Sequence, residues 1–149
     1  MMNDFTCVRL ARQMTWSMSL PISLTRICQN HAIKLRYSDM LGIAACYLDI
    51  HGERMIIVND NERRGRQRFS LAHEFGHFVL GHGPLAFNMI GQSRRPPYQE
   101  TQANSFAAEL LMPKPHLQRY GCLQPREIAE MCDVSLEAAK IRAKEMGWL

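Results

Sequence analysis

Apolar positions recur with a period near two in the middle of this chain and near three and a half on either side. Ile33, Leu35 and Tyr37 alternate with Lys34 and Arg36, the signature of a half-buried strand. Leu41 to Leu48 is apolar and partly β-branched and predicts a second strand. Arg54 to Val58 predicts a third, closed by Asn59, Asp60 and Asn61. Asp49-Ile50-His51-Gly52 carries a turn signal, so a small sheet with a hairpin around Gly52 is expected. Upstream, Ile22, Leu24, Ile27 and Cys28 suit a short helix starting at Pro21 or Ser23. Residues 1–19 are expected to form an N-terminal arm, helical or frayed.

Helical spacing dominates after residue 61. One helix is predicted to begin between Asn61 and Ser70 and to end near Gly81 or Gly83, with Leu71, Phe75 and Phe78 as its apolar stripe. Gly76 inside it costs about 1 kcal/mol against alanine, which implies that a neighbouring helix or a substrate passes close there. Pro84 to Pro97 reads as an irregular loop. A helix follows over Tyr98–Leu111, stopped by Met112-Pro113. Two shorter helices are expected over Pro125–Cys132 and Ser135–Met146, with Ser135 as N-cap and Glu137 in the first turn. Strands first and helices after make this an α+β chain.

The chain has 149 residues, 46% of them hydrophobic and 21% charged, enough for a packed core. The net charge of +4 permits contact with nucleic acid without arguing for it. Five cysteines, with no Cys-x-x-Cys pair, read as free thiols in a reducing compartment. No apolar run approaches the roughly 18 residues of a membrane span, and Asp4, Arg9, Arg12 and Gln13 interrupt any signal-peptide core. A cytoplasmic protein without a membrane partner is expected.

The chemistry concentrates in His73-Glu74-Phe75-Gly76-His77. At about 100° per residue, histidines at i and i+4 share one helix face, so both imidazoles can reach one ion. Two such histidines with a glutamate beside the first form the zinc-hydrolase arrangement, in which the glutamate serves as general base. A third protein ligand is needed. The extended pattern His-Glu-x-x-His-x-x-Gly-x-x-His is off register, because Leu80 and Gly83 stand where its Gly and last His belong. His82 follows His73 by nine residues, about 180° around an uninterrupted helix, and is expected to point away from the ion. Glu100 is the better candidate, with Asn104 at i+4 on the same face, positioned to hydrogen-bond a ligand histidine's other nitrogen. Glu109 competes. It sits about 180° from Glu100, so both cannot face the ion.

The segment Phe69 to His77, followed by Glu100, Asn104, Glu109 and Pro113, resembles the ImmA/IrrE-type zinc metallopeptidase family. So do the Leu20-Pro21-Ile22 helix start and the tail through Ile128-Ala129-Glu130 and Val134 to Ala139, and the resemblance covers roughly residues 20–147. It implies a small zincin-like domain in which a short three-stranded sheet packs on the metal-binding helix and a third-ligand helix. It implies one zinc per chain held by His73, His77 and Glu100, with Glu74 catalytic. The domain would span residues 20–120, with a C-terminal helical hairpin over 121–149. Members of this family are intracellular proteases tied to stress responses. They cleave helix-turn-helix repressors encoded nearby and so release transcription.

Other readings stand beside this one. The hairpin resembles a helix-turn-helix, and its Arg126, Lys140, Arg142 and Lys144 could give weak nucleic-acid contact or simply be solvated. The run from Glu62 to Arg68 is a solvated basic loop or a substrate-steering patch. The rival function is a non-catalytic regulator that binds DNA or a repressor and keeps the zincin frame as scaffold. Tyr98, His82 and His116 are candidates to stabilise an oxyanion by residue type alone.

Overall fold

The computed structural model describes residues 3–84 and 95–149. Most of the expected loop Pro84–Pro97 lies outside them. The described elements, in order, are helices α1 (Asp4–Thr15) and α2 (Leu24–Asn30), strands β1 (Ile33–Ser38), β2 (Ala45–Ile50) and β3 (Glu53–Asn59), then helices α3 (Arg64–Val79), α4 (Pro97–Leu111), α5 (Lys114–Gln118), α6 (Pro125–Cys132) and α7 (Leu136–Glu145). Each expected strand and helix is present, with ends displaced by a few residues, and α5 is an addition.

Local chemistry sets most of these boundaries. The side chain of Ser23 accepts from Arg26 N–H at 3.3 Å and starts α2. Pro97 and Pro125 each open a helix, where their missing N–H has no intrahelical acceptor to lose. Glu127 accepts from Gln124 N–H at 2.7 Å and closes a capping box on α6. Ser135 caps α7 through Ala138 N–H at 3.1 Å. His51 and Gly52 both have positive φ (53° and 83°), the demand of a type I′ hairpin turn between β2 and β3.

The sheet has the order β1-β3-β2, with β1 parallel and β2 antiparallel to β3. The parallel pair has no local sequence signal, because it depends on a crossover. β2 is therefore an edge, and its Ala45, Cys46, Tyr47 and Leu48 are nonetheless all buried. One face lies on α3 through the cluster that contains Tyr47, Ile56, Val58, Leu71 and Phe75. Asn59 ties the preceding loop to the sheet, donating to Met40 C=O and Ile43 C=O at 2.6 and 3.0 Å.

The N-terminal segment is a docked helix. Cys7 and Ala11 are fully buried in the same core as Phe106 and Leu110 of α4. At the other end, Arg64 and Arg68 clamp the turn between α6 and α7. Arg64 Nε donates to Asp133 Oδ2 at 2.7 Å, and Arg68 donates to Asp133 C=O, Ile22 C=O and Cys132 C=O at 2.9, 3.0 and 3.3 Å. Half of the basic run is thus structural. Arg142 is also not a phosphate-facing residue. It is buried, with Nη1 at 3.4 Å from Glu109 Oε2 and 2.9 Å from Glu145 Oε2.

Candidate active site

The site begins with the face of α3 that carries His73 and His77, whose Nε2 atoms lie 3.0 Å apart. Helix α4 reaches this face because residue 76 has no side chain. A Cβ there would meet Phe106 Cδ1 at 3.0 Å and Ala103 C=O at 3.4 Å. That crossing delivers Glu100, whose Oε2 is 3.1 Å from His73 Nε2 and whose Oε1 is 3.0 Å from His77 Nε2. One turn on, Asn104 Oδ1 accepts from His73 Nδ1 at 2.8 Å.

Proton accounting defines what this cluster can hold. With Nδ1–H of His73 given to Asn104, its Nε2 is a bare lone pair. His77 is buried, and desolvation, then Arg95, then the neighbouring histidines push its pKa down to about 2, so it is neutral. Two imidazole lone pairs and a carboxylate converge within about 3 Å, an arrangement of acceptors that repel one another unless a cation sits among them. A tetrahedral ion with bonds near 2.0 Å spaces its ligands roughly 3.3 Å apart. The donor set therefore fits a divalent metal, and His73, His77 and Glu100 could hold it.

Glu74 lies nearby, its ligand atoms within 4.8 Å of those of both histidines, but it is occupied differently. Its Oε2 accepts from the backbone N–H of Tyr47 on the edge strand at 3.1 Å. Burial pushes its pKa up to about 7, against the lowering effect of Arg95, while Glu100 adds to the rise. Such a carboxyl takes up and releases a proton near neutral pH, which suits a base better than a ligand.

Two residues near the site were missed in the sequence. Arg95 is 8% exposed, with Nη2 3.7 Å from Glu74 Oε2 and Nε 3.9 Å from Glu100 Oε1, and it donates to Gly83 C=O at 3.2 Å. Nothing in its Gly- and Pro-rich surroundings marks it. His82 corrects an expectation. Helix α3 stops at Val79, the chain turns back through Gly81 (φ 73°), and His82 Nδ1 ends 2.8 Å from His77 Nδ1. Its Nε2 lies 2.9 Å from Oε1 of Gln102, the second residue that carried no signal. The angular argument failed because it assumed a continuous helix.

The remaining candidates lie elsewhere. Glu109 accepts from Arg12 Nε at 2.8 Å and from Lys114 N–H at 3.1 Å, on the side of α4 turned towards α1. His116 Nε2 lies 2.8 Å from Met18 C=O and belongs to the packing of α5. Tyr98 is half exposed in the first turn of α4.

A cleft of about 640 Å³ opens over His73, Glu74 and Glu100. Ala44 and Ala45, beside and at the start of β2, form one wall, and Ala138 and Ile141 of α7 lie at another. The C-terminal hairpin therefore shapes the cleft. It can come this close because Gly65 leaves room, where a Cβ would meet Ser135 N at 2.9 Å.

Fold and site together define a small zincin-like domain. Residues 28–144 match the peptidase M78 family, described as the IrrE N-terminal-like domain, and the chain belongs to that family. It is 36% identical over 95 residues to the radiation response metalloprotease IrrE of Deinococcus radiodurans, a match covering 57% of this chain and 29% of that protein. A solved structure of a Mycobacterium tuberculosis transcriptional regulator shares the fold at a TM-score of 0.67 and 16% identity, over 93% of this chain and 46% of that one. The chain thus spans less than half the length of either relative. No helix among the described residues is long and apolar enough to cross a membrane.

Proposed function

We propose that this protein is a zinc-dependent endopeptidase that cleaves a partner helix-turn-helix repressor, or a similar DNA-binding regulator, and so derepresses transcription. His73, His77 and Glu100 hold one zinc, Glu74 is the general base, and Asn104 orients His73. The observation that carries this reading is the approach of both Glu100 oxygens to the two Nε2 atoms, 3.0 and 3.1 Å away. Membership of a peptidase family supports the reaction class. The resemblance of the motifs to repressor-cleaving proteases supports the substrate. Free thiols at all five cysteines agree with action in the cytoplasm.

When bound, the metal supplies Lewis-acid charge that polarises a peptide carbonyl and makes water nucleophilic at neutral pH. The chain's own residues do the rest. Tyr47 N–H and burial hold Glu74 at the edge of the cleft, where it takes a proton from the attacking water and delivers it to the leaving amine. Arg95 keeps a positive charge beside that carboxylate. Its Nη2 is a buried donor without a hydrogen-bond acceptor among the described residues.

The test uses wild type and Glu74→Gln with purified regulators encoded near the gene. Wild type is expected to cleave one of them, and Glu74→Gln to bind zinc without cleaving. Cleavage retained in Glu74→Gln would remove Glu74 from its role. A salt-dependent shift of DNA by wild type with no proteolysis would favour the non-catalytic regulator.

A further inference from the structure

The site contains a hydrogen-bonded chain that continues behind His77 and is closed by α4. We infer that His82 and Gln102 form a relay that locks the tautomer of His77, making His82 a positioning residue for the metal site. This inference rests on the metallopeptidase reading.

The direction of each hydrogen bond follows from the chemistry of its ends. Gln102 Oε1 can only accept, so His82 Nε2, at 2.9 Å, carries a proton and donates it. A neutral His82 then has a bare Nδ1. That nitrogen lies 2.8 Å from His77 Nδ1, which must be the donor. A proton on His77 Nδ1 leaves its Nε2 as a lone pair, and this is the atom that faces Glu100 Oε1 at 3.0 Å. With His77 Nε2 given to a metal, the relay has one polarity, from His77 through His82 to Gln102. Asn104 performs the same service for His73 in a single step, at 2.8 Å. His77 is fully buried.

The relay also explains the chain reversal after α3. Gly81 has a φ of 73°, and His82 N–H donates to His77 C=O at 3.0 Å. That turn returns the imidazole of His82 to the ring it supports. Both ends of the relay are anchored on the two helices that bring the ligand set together, so its geometry is preorganised before any metal enters.

The experiment measures zinc affinity by chelator competition for wild type, His82→Leu, His82→Asn and Gln102→Leu, beside imidazole ¹⁵N spectra of the metal-free proteins. Loss of such a partner is expected to weaken metal binding about 10- to 100-fold. His82→Leu should show that loss, and Gln102→Leu a smaller one. His82→Asn, whose amide oxygen can occupy the place of Nδ1, should recover most of the affinity. In metal-free wild type the proton of His77 should be on Nδ1, and in His82→Leu it should redistribute towards Nε2. A merely structural role for His82 would lower stability without moving that tautomer. Wild-type zinc affinity in His82→Leu, or His77 protonated on Nε2 in wild type, would overturn the relay while leaving the peptidase reading intact. Absence of zinc binding by wild type would overturn both.

Discussion

Glu100 and Glu109 leave the same helix on opposite sides, one towards His73 and His77, the other towards Arg12 and Arg142. Nine residues of helix separate them by about half a turn beyond whole turns. One carboxylate thus faces the cleft while the other pairs with the partly exposed Arg12 and the buried Arg142, joining α1, α4 and α7.

Substituting these two glutamates should have opposite consequences. Glu109 is 1% exposed, and Glu109→Gln leaves the buried Arg142 charge with a weaker partner. A loss of about 3 kcal/mol in urea unfolding is expected, with zinc content unchanged. Glu100→Gln should lose zinc and keep its folding midpoint within about 1 kcal/mol. Zinc lost on Glu109→Gln with the fold intact would exchange their roles.

Glu74 is expected to destabilise the metal-free protein at neutral pH. Its folded pKa of about 7 lies above the ordinary carboxylate value, so folding favours the protonated form. Stability from this group is fully present below pH 4 and declines as pH rises towards 7, by up to about 3 kcal/mol. Glu74→Gln should therefore raise the melting temperature of metal-free protein at pH 8 by several degrees, and the gain should vanish near pH 4. An equal difference at both pH values would show that ionisation is not the cause.

The clamp on the C-terminal turn has the reverse sign. The hydrogen bond from Arg64 holds the Asp133 carboxyl below its usual range. Its contribution is present above pH 4 and is lost as pH falls through the folded value. The group is partly solvated, so Asp133→Asn should cost no more than about 1 kcal/mol at pH 6. Denaturant midpoints of the two proteins should converge as pH falls through the folded value. A gap that persists at low pH would show that ionisation of Asp133 is not the cause.

Gly76→Ala sets helix propensity against packing. Alanine gains about 1 kcal/mol as a helix former. Its Cβ would press on the fully buried Phe106 ring at 3.0 Å and on Ala103 C=O at 3.4 Å, and overpacking of this kind costs about 1 to 3 kcal/mol. Net destabilisation is expected, with weaker zinc binding as α4 is pushed from α3. A more stable variant with unchanged affinity would show that the helices can yield there.

The sequence by itself determined the elements and the ligand-bearing helix face. Alternation at Ile33–Tyr37, the Gly52 turn, the caps at Ser23 and Ser135, and the i, i+4 spacing of His73 and His77 are all local effects, fixed within a few residues of chain. The opposite faces of Glu100 and Glu109 were also legible, because a continuous helix has one period. Only the tertiary structure decided which of those faces met α3, since that depends on a glycine at 76 opposite Phe106. It likewise decided the parallel pairing of β1 with β3, the docking of α1, the use of Arg64 and Arg68 as a clamp, and the placing of Arg95, His82 and Gln102. Most of these are contacts between distant segments, chosen by packing and by the need to satisfy buried polar atoms; His82 meets His77 only five residues away, but through a turn at Gly81 that ends the helix.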